Sequence, residues 1–362
     1  MAFMSTIKES DVFEALKVVT DPDLGRDIVS LGFVKDLTIA KGAVSFKIEL
    51  TTPACPVKDQ MREQAYSVVS ELEGVTSVNV EMTASVRSAT VADSGPAAIP
   101  GVRNVIAVGA GKGGVGKTTV AVNLAVALAK YGGRVGMIDG DVYGPNLPIM
   151  LGLDTQLSAD GKKIVPAEKY GVQVVSMGFL ADGNAPIIWR GPMLHGVVRQ
   201  FFQDVRWGEL DYLVVDMPPG TGDVALSLTQ TVPVAGAIVV TTPQGVSLSD
   251  SRRAVGMYQK LKVPTLGVIE NMSHYTCPDC GHESNIFGMG GGSAVAQEFD
   301  VPFLGQIPLY EPIRVGSDGG IPIVIAEPDS AAARAFRQVA ERAAAQVSIA
   351  SYEETTSSSV AG

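Results

Sequence analysis

A glycine-rich segment between two apolar stretches has the residue types and the spacing needed to bind phosphate. Residues 111–118, GKGGVGKT, fit the pattern G-x-x-x-x-G-K-[ST], follow an apolar run over Val105 to Val108, and lead into the helical sequence AVNLAVALAK. In such a loop, backbone N–H groups surround the phosphates, a lysine reaches the β and γ oxygens, and a threonine hydroxyl binds Mg²⁺. The predicted ATP contacts are Gly111, Lys112, Gly113, Gly114, Val115, Gly116, Lys117, Thr118 and Thr119.

Polar side chains also follow several apolar runs downstream of this loop. Asp139 and Asp141 lie in MIDGDVYGPN, and Asp216 ends the run in LVVDMPPGTGD. Parallel sheets bind ligands at the carboxyl ends of their strands, so we expect these carboxylates near the phosphate loop. Asp216 has the position of an aspartate that holds Mg²⁺ directly or through water. Without the phosphate loop, a turn or a helix cap would be the favoured interpretation of Asp139 or Asp141. With the loop present, the functional interpretation is favoured for Asp141 and Asp216.

Asn271 ends a further apolar run, TLGVIEN. Its amide can present both a donor and an acceptor to an adenine edge. A turn at the end of a strand accounts for this asparagine equally well.

Two cysteines, Cys277 and Cys280, form a C-x-x-C turn that can place two thiolates on one metal centre. Two ligands do not complete a site, and the chain has only one other cysteine, Cys55. A two-fold dimer would supply four thiolates, the number that holds a [4Fe-4S] cluster or a zinc ion. His274 and His282 could instead complete a zinc site. A redox dithiol or a pair of inert thiols also accounts for the turn.

The elements that position these residues follow from the alternation of apolar runs with helical patterns after Val102. The strand candidates are VIAVGA, RVGMID, VQVVSM, YLVVDM, GAIVVTT, TLGVIEN and PFLGQIP. Continuous apolar strands indicate burial on both faces, and their alternation with helices indicates right-handed crossovers. The prediction is an α/β P-loop NTPase fold with a mostly parallel, doubly wound sheet over residues 102–347, ending in a helix from Ser330 to Val347. Residues 348–362 are polar and are expected to form a disordered tail.

A small α+β domain is predicted over residues 1–88, joined to the larger one by a linker at 89–101 that is rich in Ala, Gly, Pro and Ser. Its predicted elements are a helix at Ser10 to Val19, strands at Gly32 to Ala40 and Ala43 to Leu50, a helix at Lys58 to Leu72, and a strand at Val75 to Met82.

Composition limits the partners and the location. The 362 residues carry 28 Lys and Arg against 38 Asp and Glu, a net charge of -10, which makes nucleic acids and anionic membranes poor partners. No apolar run reaches the roughly 18 residues of a membrane helix, and the start of the chain does not have the pattern of a signal peptide. Three cysteines do not make a disulfide scaffold, so a reducing cytoplasm is the expected location.

The loop GKGGVGKTT resembles the deviant Walker A motif of a dimerising ATPase class that includes MinD, ParA and the nitrogenase iron protein. The resemblance implies that Lys112 crosses the dimer interface and neutralises charge at the partner's nucleotide. It further implies that Asp141 orients the attacking water, that Asp139 supports the metal and phosphate region, and that Asn271 recognises the base.

Four segments in order, DGDVYGPNLP, DMPPGTGD, ENMS and CPDCGHESNIFGMGGG, are similar to the Mrp/ApbC family of iron-sulfur cluster carrier ATPases. This resemblance implies a homodimer that uses ATP and Mg²⁺, holds a labile [4Fe-4S] cluster between paired Cys277 and Cys280, and passes it to apo-proteins. Cluster assembly factors are further expected partners. The segments VTDPDLGRDIVSLGFV and LTTPACPVKD resemble a SufT-like domain, in which Cys55 is either a buried structural thiol or a transient ligand.

Two other functions fit part of the sequence. A ParA- or MinD-like partitioning or positioning ATPase without metal accounts for the phosphate loop but leaves the C-x-x-C turn unexplained. The second alternative is an electron donor like the nitrogenase iron protein. Absorbance of anaerobically purified protein in the sulfur-to-iron charge-transfer region separates the metal-free function from the cluster-bearing ones.

Overall fold

Contacts between residues divide the chain into two units, Met1–Arg87 and Ser88–Gly362. The computed structural model describes residues 7–88, 98–141, 144–154, 158–160, 163–179, 200–220 and 234–360.

The first unit is a small α+β fold. Its elements are α1 (Glu9–Leu16), β1 (Thr20–Asp21), β2 (Arg26–Asp27), β3 (Val34–Ala40), β4 (Ala43–Leu50), α2 (Lys58–Ser70) and β5 (Ser77–Ala84). Strand β4 pairs antiparallel with β3 and parallel with β5. The β3–β4 turn places both Lys41 and Gly42 at positive φ, 52° and 86°, as a tight hairpin requires. The alternate residues Val44, Phe46 and Ile48 of β4 are buried, which gives this sheet one apolar face.

The second unit contains the phosphate loop and the paired cysteines. Its strands are β6 (Val102–Ala110), β7 (Val135–Asp139), β8 (Ser158–Asp160), β9 (Lys163–Val165), β10 (Ala167–Lys169), β11 (Val172–Ser176), β12 (Leu210–Asp216), β13 (Val234–Thr241), β14 (Thr265–Glu270), β15 (Tyr275–Thr276), β16 (Glu283–Ser284) and β17 (Phe303–Gln306). Its helices are α3 (Lys117–Lys130), α4 (Leu147–Leu151), α5 (Gly245–Lys260), α6 (Gly291–Glu298), α7 (Glu311–Asp318), α8 (Ile323–Ala326) and α9 (Ala331–Val360).

Within the described residues, the central sheet has the strand order β10-β11-β7-β12-β6-β13-β14-β17 and is parallel apart from β10. This arrangement confirms the predicted α/β fold with a mostly parallel sheet. Strands β7 and β12 are buried along their whole length, since helices cover both faces of such a sheet. The carboxyl ends of β6, β7, β12 and β14 therefore bring the phosphate loop, Asp139, Asp216 and Asn271 to one edge.

The end of the chain differs from the prediction of a disordered tail over residues 348–362. Helix α9 does not stop at Val347 but continues to Val360, while residues 361–362 lie outside the described part. Ser348 and Ser351 are buried, and their hydroxyls donate to the carbonyls of Ala344 (3.1 Å) and Ser348 (2.8 Å). Serine hydroxyls that bond to the preceding turn satisfy their polarity within the helix, so the change to polar composition does not end it.

The predicted linker also differs at its end. Residues 89–97 lie outside the described part, but Ile99 belongs to the buried core of the second unit together with Trp207 and Leu210. Gly101 accepts a hydrogen bond from the Leu210 N–H at 2.7 Å and has φ +80°. The segment from residue 98 onward is thus packed as part of the second unit.

Candidate functional site

The phosphate loop forms between β6 and α3, as the motif predicts. Gly114 and Gly116 have φ of +79° and +78°, values that favour glycine, and Gly116 immediately precedes the first turn of α3. The side chain of Val115 is buried, whereas Gly113 and Gly114 are exposed. The buried Val115 side chain therefore anchors the loop, while the exposed glycines leave backbone N–H groups accessible to bind an anion.

Gly111 fixes the base of the loop through a close approach to α5. A Cβ added at this position would lie 2.2 Å from the backbone carbon and oxygen of Asp250, whereas one added at Gly113 would meet nothing nearer than 4.0 Å. We expect Gly111→Ala to lower the free energy of unfolding by about 1–3 kcal/mol, because a backbone contact must shift. Gly113→Ala is the matched control and should change it by less than about 0.5 kcal/mol in urea unfolding of the nucleotide-free protein. Equal effects of the two substitutions would contradict this packing.

A buried ion pair lies at the first turn of α3. Lys117 Nζ is 2.6 Å from Asp216 Oδ1, and the Thr118 hydroxyl donates to Asp216 Oδ2 at 2.7 Å. Asp216 is 0 % exposed and Lys117 is 6 % exposed. Burial raises the pKa of Asp216, while Lys117 and Thr118 oppose that rise. The Thr118 hydroxyl and the Asp216 carboxylate are hard oxygen donors of the kind that Mg²⁺ binds, so these residues fit the predicted metal position.

Asp139 lies at the end of β7, next to Asp216 in the paired strand β12. Its carboxylate accepts hydrogen bonds from the Ser176 hydroxyl (2.9 Å) and from the backbone N–H groups of Leu147 (3.3 Å) and Asp141 (3.2 Å). Burial, followed by the charge of Asp216, raises the pKa of Asp139 to about 7. Asp139 therefore organises the turn that carries Asp141, and its support of the metal and phosphate region stays a prediction.

The raised pKa of Asp139 predicts a pH dependence of stability. Between the ordinary value of 3.8 and about 7 the folded protein binds more protons at this group than the unfolded chain does. Stability should therefore fall as pH rises through this window, by at most about 1.4 kcal/mol per pH unit for one group. We expect the free energy of unfolding of Asp139→Asn, measured between pH 5 and pH 7.5, to fall less steeply with rising pH than that of the parent protein.

Asp211→Asn is the matched control for that measurement. Burial alone would raise the pKa of Asp211, but the hydrogen bonds and charge of Arg134 and the charge of Arg103 hold it below its usual value. Its contribution is lost only as pH falls below the ordinary carboxylate range, so the Asp211→Asn difference should stay flat from pH 5 to pH 7.5. A flat difference for Asp139→Asn as well would contradict the raised pKa.

Asp141 and Lys112 are both half-buried near the loop. The charge of Asp141 is close enough to raise the pKa of Asp216. No hydrogen bond or ion pair joins Lys112 to another residue within the part of the chain that the structure describes. Thr119 is also half-buried, and its carbonyl accepts a hydrogen bond from Asn123 Nδ2 at 2.9 Å. Asp141 and Lys112 thus have the accessibility that their predicted roles require, and those roles stay predictions.

Asn271 contacts the loop from below. Its Nδ2 donates to the Val115 carbonyl at 2.8 Å, and a Cβ at Gly116 would lie 2.3 Å from that nitrogen. The side chain is 6 % exposed. Its amide N–H is therefore engaged by the phosphate loop in this structure, and base recognition by Asn271 stays a prediction.

The paired cysteines lie at the tip of the β15–β16 hairpin. The Cys277 N–H donates to the His282 carbonyl at 3.0 Å, and Gly281, at φ +71°, donates to the Cys277 carbonyl at 2.9 Å. Cys280 is exposed and Cys277 is half-buried beside a cavity of about 610 Å³. Hydrogen bonds from the backbone N–H groups of Cys280 and Asp279 hold the pKa of the Cys277 thiol below its usual value, which favours the metal-binding thiolate.

The described part of the chain gathers no further metal ligands around this pair. Among the described residues, no group of three or more His, Cys, Asp or Glu side chains is placed to hold a metal ion. His274 bonds to the Ser273 hydroxyl at 2.9 Å, and His282 is exposed. In the first unit, Cys55 is buried.

Two further buried residues, Ser176 and Glu270, were not among the predicted site residues. Ser176 bonds to Asp139, as described above. Glu270 is 0 % exposed, and its carboxylate accepts hydrogen bonds from the Gly292 N–H (2.6 Å) and from Gln306 Nε2 (3.1 Å). A carboxylate that ends a continuous apolar strand must be paired, because charged groups are rarely buried otherwise; this signal was present in TLGVIE.

Each of the two units matches a family of known proteins. Residues 101–344 match a family described as NUBPL iron-transfer P-loop NTPase, and residues 9–82 match one described as iron-sulfur cluster assembly protein. Iron-sulfur cluster carrier proteins of Synechocystis and Deinococcus radiodurans are each 48 % identical to the chain; the first alignment covers 94 % of this chain and 98 % of the relative, the second 95 % and 97 %. A nucleotide-binding protein from Archaeoglobus fulgidus, solved in complex with ADP and with Co, is 35 % identical with a TM-score of 0.57, covering 64 % of this chain and 91 % of that one.

In the described ranges, no helix has both the length and the apolar character needed to cross a bilayer.

Proposed function

The chain belongs to the NUBPL iron-transfer P-loop NTPase family, and on that premise we propose that it is an ATP-hydrolysing iron-sulfur cluster carrier that acts as a cytoplasmic homodimer. Its cargo is a [4Fe-4S] cluster, which it passes to apo-proteins. The observation that carries the proposal is the pair of accessible thiols, Cys277 and Cys280, at the tip of a hairpin in the same unit as the phosphate loop.

The nucleotide is bound and cleaved by residues at the carboxyl edge of the sheet. Lys117 is the cation that meets the β and γ oxygens, while Thr118 and Asp216 would hold Mg²⁺. When bound, Mg²⁺ neutralises negative charge on the transferring phosphoryl group. Asp141 orients the attacking water, and Lys112 from the second copy stabilises the charge that develops as the bond breaks.

The cluster is bound by ligands from two chains. Two copies of Cys277 and Cys280 give the four thiolates that a [4Fe-4S] cluster needs. Transfer then exchanges thiolate for thiolate at iron, with no change in oxidation state, as cysteines of the recipient replace those of the hairpins. The cavity next to Cys277 leaves room for a recipient segment to approach.

The test is anaerobic reconstitution with iron and sulfide, followed by transfer to apo-aconitase with and without Mg-ATP. We expect charge-transfer absorbance on the reconstituted chain, recovery of aconitase activity on mixing, and a transfer rate that changes with ATP. Cys55→Ser serves as a control that should keep the hairpin cluster. Protein that stays free of iron after reconstitution would contradict the proposal and favour the partitioning ATPase.

Action of Lys112 in trans predicts recovery of activity in mixed dimers. Lys112→Ala and Asp141→Ala should each abolish hydrolysis as homodimers. A heterodimer of the two has one site with both an intact Asp141 and an intact Lys112 from the other chain, so ATPase assays of the mixture should show partial recovery. Continued inactivity, with mixed dimers confirmed by differential tagging, would contradict action across the interface.

A further inference from the structure

Strand β14 ends at Glu270. The dipeptide Glu270-Asn271 contacts the phosphate loop on one side and the cysteine segment on the other. Asn271 is fixed on the loop side by its side-chain bond to the Val115 carbonyl (2.8 Å) and by its backbone N–H, which donates to Thr241 at 2.8 Å. Gly116 leaves no space between the loop and this amide. A shift of the loop must therefore move Asn271 or break its hydrogen bond.

Glu270 holds the chain where it returns from the cysteine hairpin. One carboxylate oxygen accepts from the N–H of Gly292 in the first turn of α6, and the other accepts from Gln306 at the end of β17. The Glu270 carbonyl also accepts from the Ile307 N–H at 2.9 Å. Because Glu270 is fully buried, these contacts are shielded from water and are costly to break.

The chain leaving Asn271 is held just as firmly. Ser273 donates to the Ile307 carbonyl from both its N–H (3.0 Å) and its hydroxyl (3.1 Å), and the Leu309 N–H donates to the His274 carbonyl at 2.7 Å. Tyr275 pairs with Leu309 as an isolated β-bridge, directly before the hairpin tip. Both ends of the cysteine segment are thus anchored around the dipeptide that touches the loop.

We infer that Asn271 and Glu270 couple the nucleotide site to the cysteine hairpin, so that nucleotide binding changes the reactivity of Cys277 and Cys280. The two are positioning residues, and the inference rests on the proposed function, since it supplies the means by which ATP acts on the cargo. Coupling between two binding sites is reciprocal. Reversible ligation of the thiols therefore changes nucleotide affinity by the same factor as the nucleotide changes the affinity of the thiols for their ligand.

The test measures alkylation of the hairpin thiols by iodoacetamide in iron-free, full-length protein. A Cys55→Ser background leaves Cys277 and Cys280 as the only thiols. We expect saturating Mg-ADP to change the alkylation rate about fivefold or more, the lower end of measured couplings. Asn271→Asp keeps the size of the side chain but cannot donate to Val115, so its rates with and without Mg-ADP should become equal.

Asn285→Asp is the matched control, since it makes the same chemical change on the far side of the cysteines, where the exposed amide contacts the Met289 sulfur. It should keep the full nucleotide effect. Glu270→Gln changes a carboxylate that bonds to Gly292 and Gln306 rather than to the loop. It should therefore reduce the effect of Mg-ADP on the alkylation rate even if Asn271→Asp binds Mg-ADP too weakly to be saturated.

An unchanged alkylation rate in the parent protein at confirmed Mg-ADP saturation would overturn the inference. So would a full nucleotide effect in both Asn271→Asp and Glu270→Gln. A protein that shows the coupling but takes up no cluster would refute the proposed cargo alone, because the alkylation assay uses no iron.

Discussion

Replacing Lys117 with Met is expected to abolish ATP hydrolysis and to destabilise the nucleotide-free protein by about 3–5 kcal/mol, the usual cost of removing one partner of a buried ion pair. Both charges are buried, and the ammonium lies 2.6 Å from Asp216. Without Lys117, burial and the charge of Asp141 would still act to raise the pKa of Asp216. Protonation relieves the buried charge, so the loss of stability should be smallest at acidic pH and grow as pH rises.

Lys112→Met is the matched control, because it removes a second lysine from the same loop. It should also lose hydrolysis if it acts across the dimer, yet its unfolding free energy should stay within about 0.5 kcal/mol of the parent. The double variant Lys117→Met/Asp216→Asn removes both charges and should recover stability without recovering activity. Urea unfolding and an ATPase assay read the two effects separately. Equal destabilisation by the two lysine substitutions would show that the ion pair with Asp216 is not what Lys117 contributes to the fold.

The features that sequence alone predicts are those set by local pattern. Val102 to Ala110 followed by a glycine loop must be a strand turning into a helix, and a parallel sheet must then bring Asp139 and Asp216 to the same edge. The C-x-x-C sequence likewise predicts a local turn, and in the structure it lies at the tip of the β15–β16 hairpin.

Contacts between distant segments could not be predicted in this way. The hydrogen bond from Asn271 to Val115 joins residues 156 positions apart. The acceptor is a backbone carbonyl, which every residue carries, so residue types do not identify it. The position of Glu270 at the end of an apolar strand indicates that its carboxylate needs a hydrogen-bond partner. It does not identify that partner as the N–H of Gly292. The tail prediction was wrong for a different reason: buried serines in α9 bond to their own helix, so polar composition did not mean disorder.

Replacing either hairpin cysteine with Ser is expected to remove stable cluster binding as completely as replacing both. If Cys277 and Cys280 of two chains complete one centre, reconstituted protein should hold about four iron atoms per two chains. A single substitution changes both copies in a homodimer and leaves two thiolates where four are needed. Iron and sulfide content, together with the mass of the complex in solution, measure this stoichiometry directly.

Cys55→Ser is the control for that count, because its thiol is buried in the other unit and is not one of the four ligands. It should keep the full iron content. Substantial cluster occupancy in Cys277→Ser, or one cluster on each isolated monomer, would refute the shared site. Zinc at one ion per dimer without sulfide would preserve the four-thiolate geometry and overturn the cargo, because zinc and a [4Fe-4S] cluster are both satisfied by four cysteines. Sulfide content is therefore the measurement that decides between a shared structural metal and a transferable cluster.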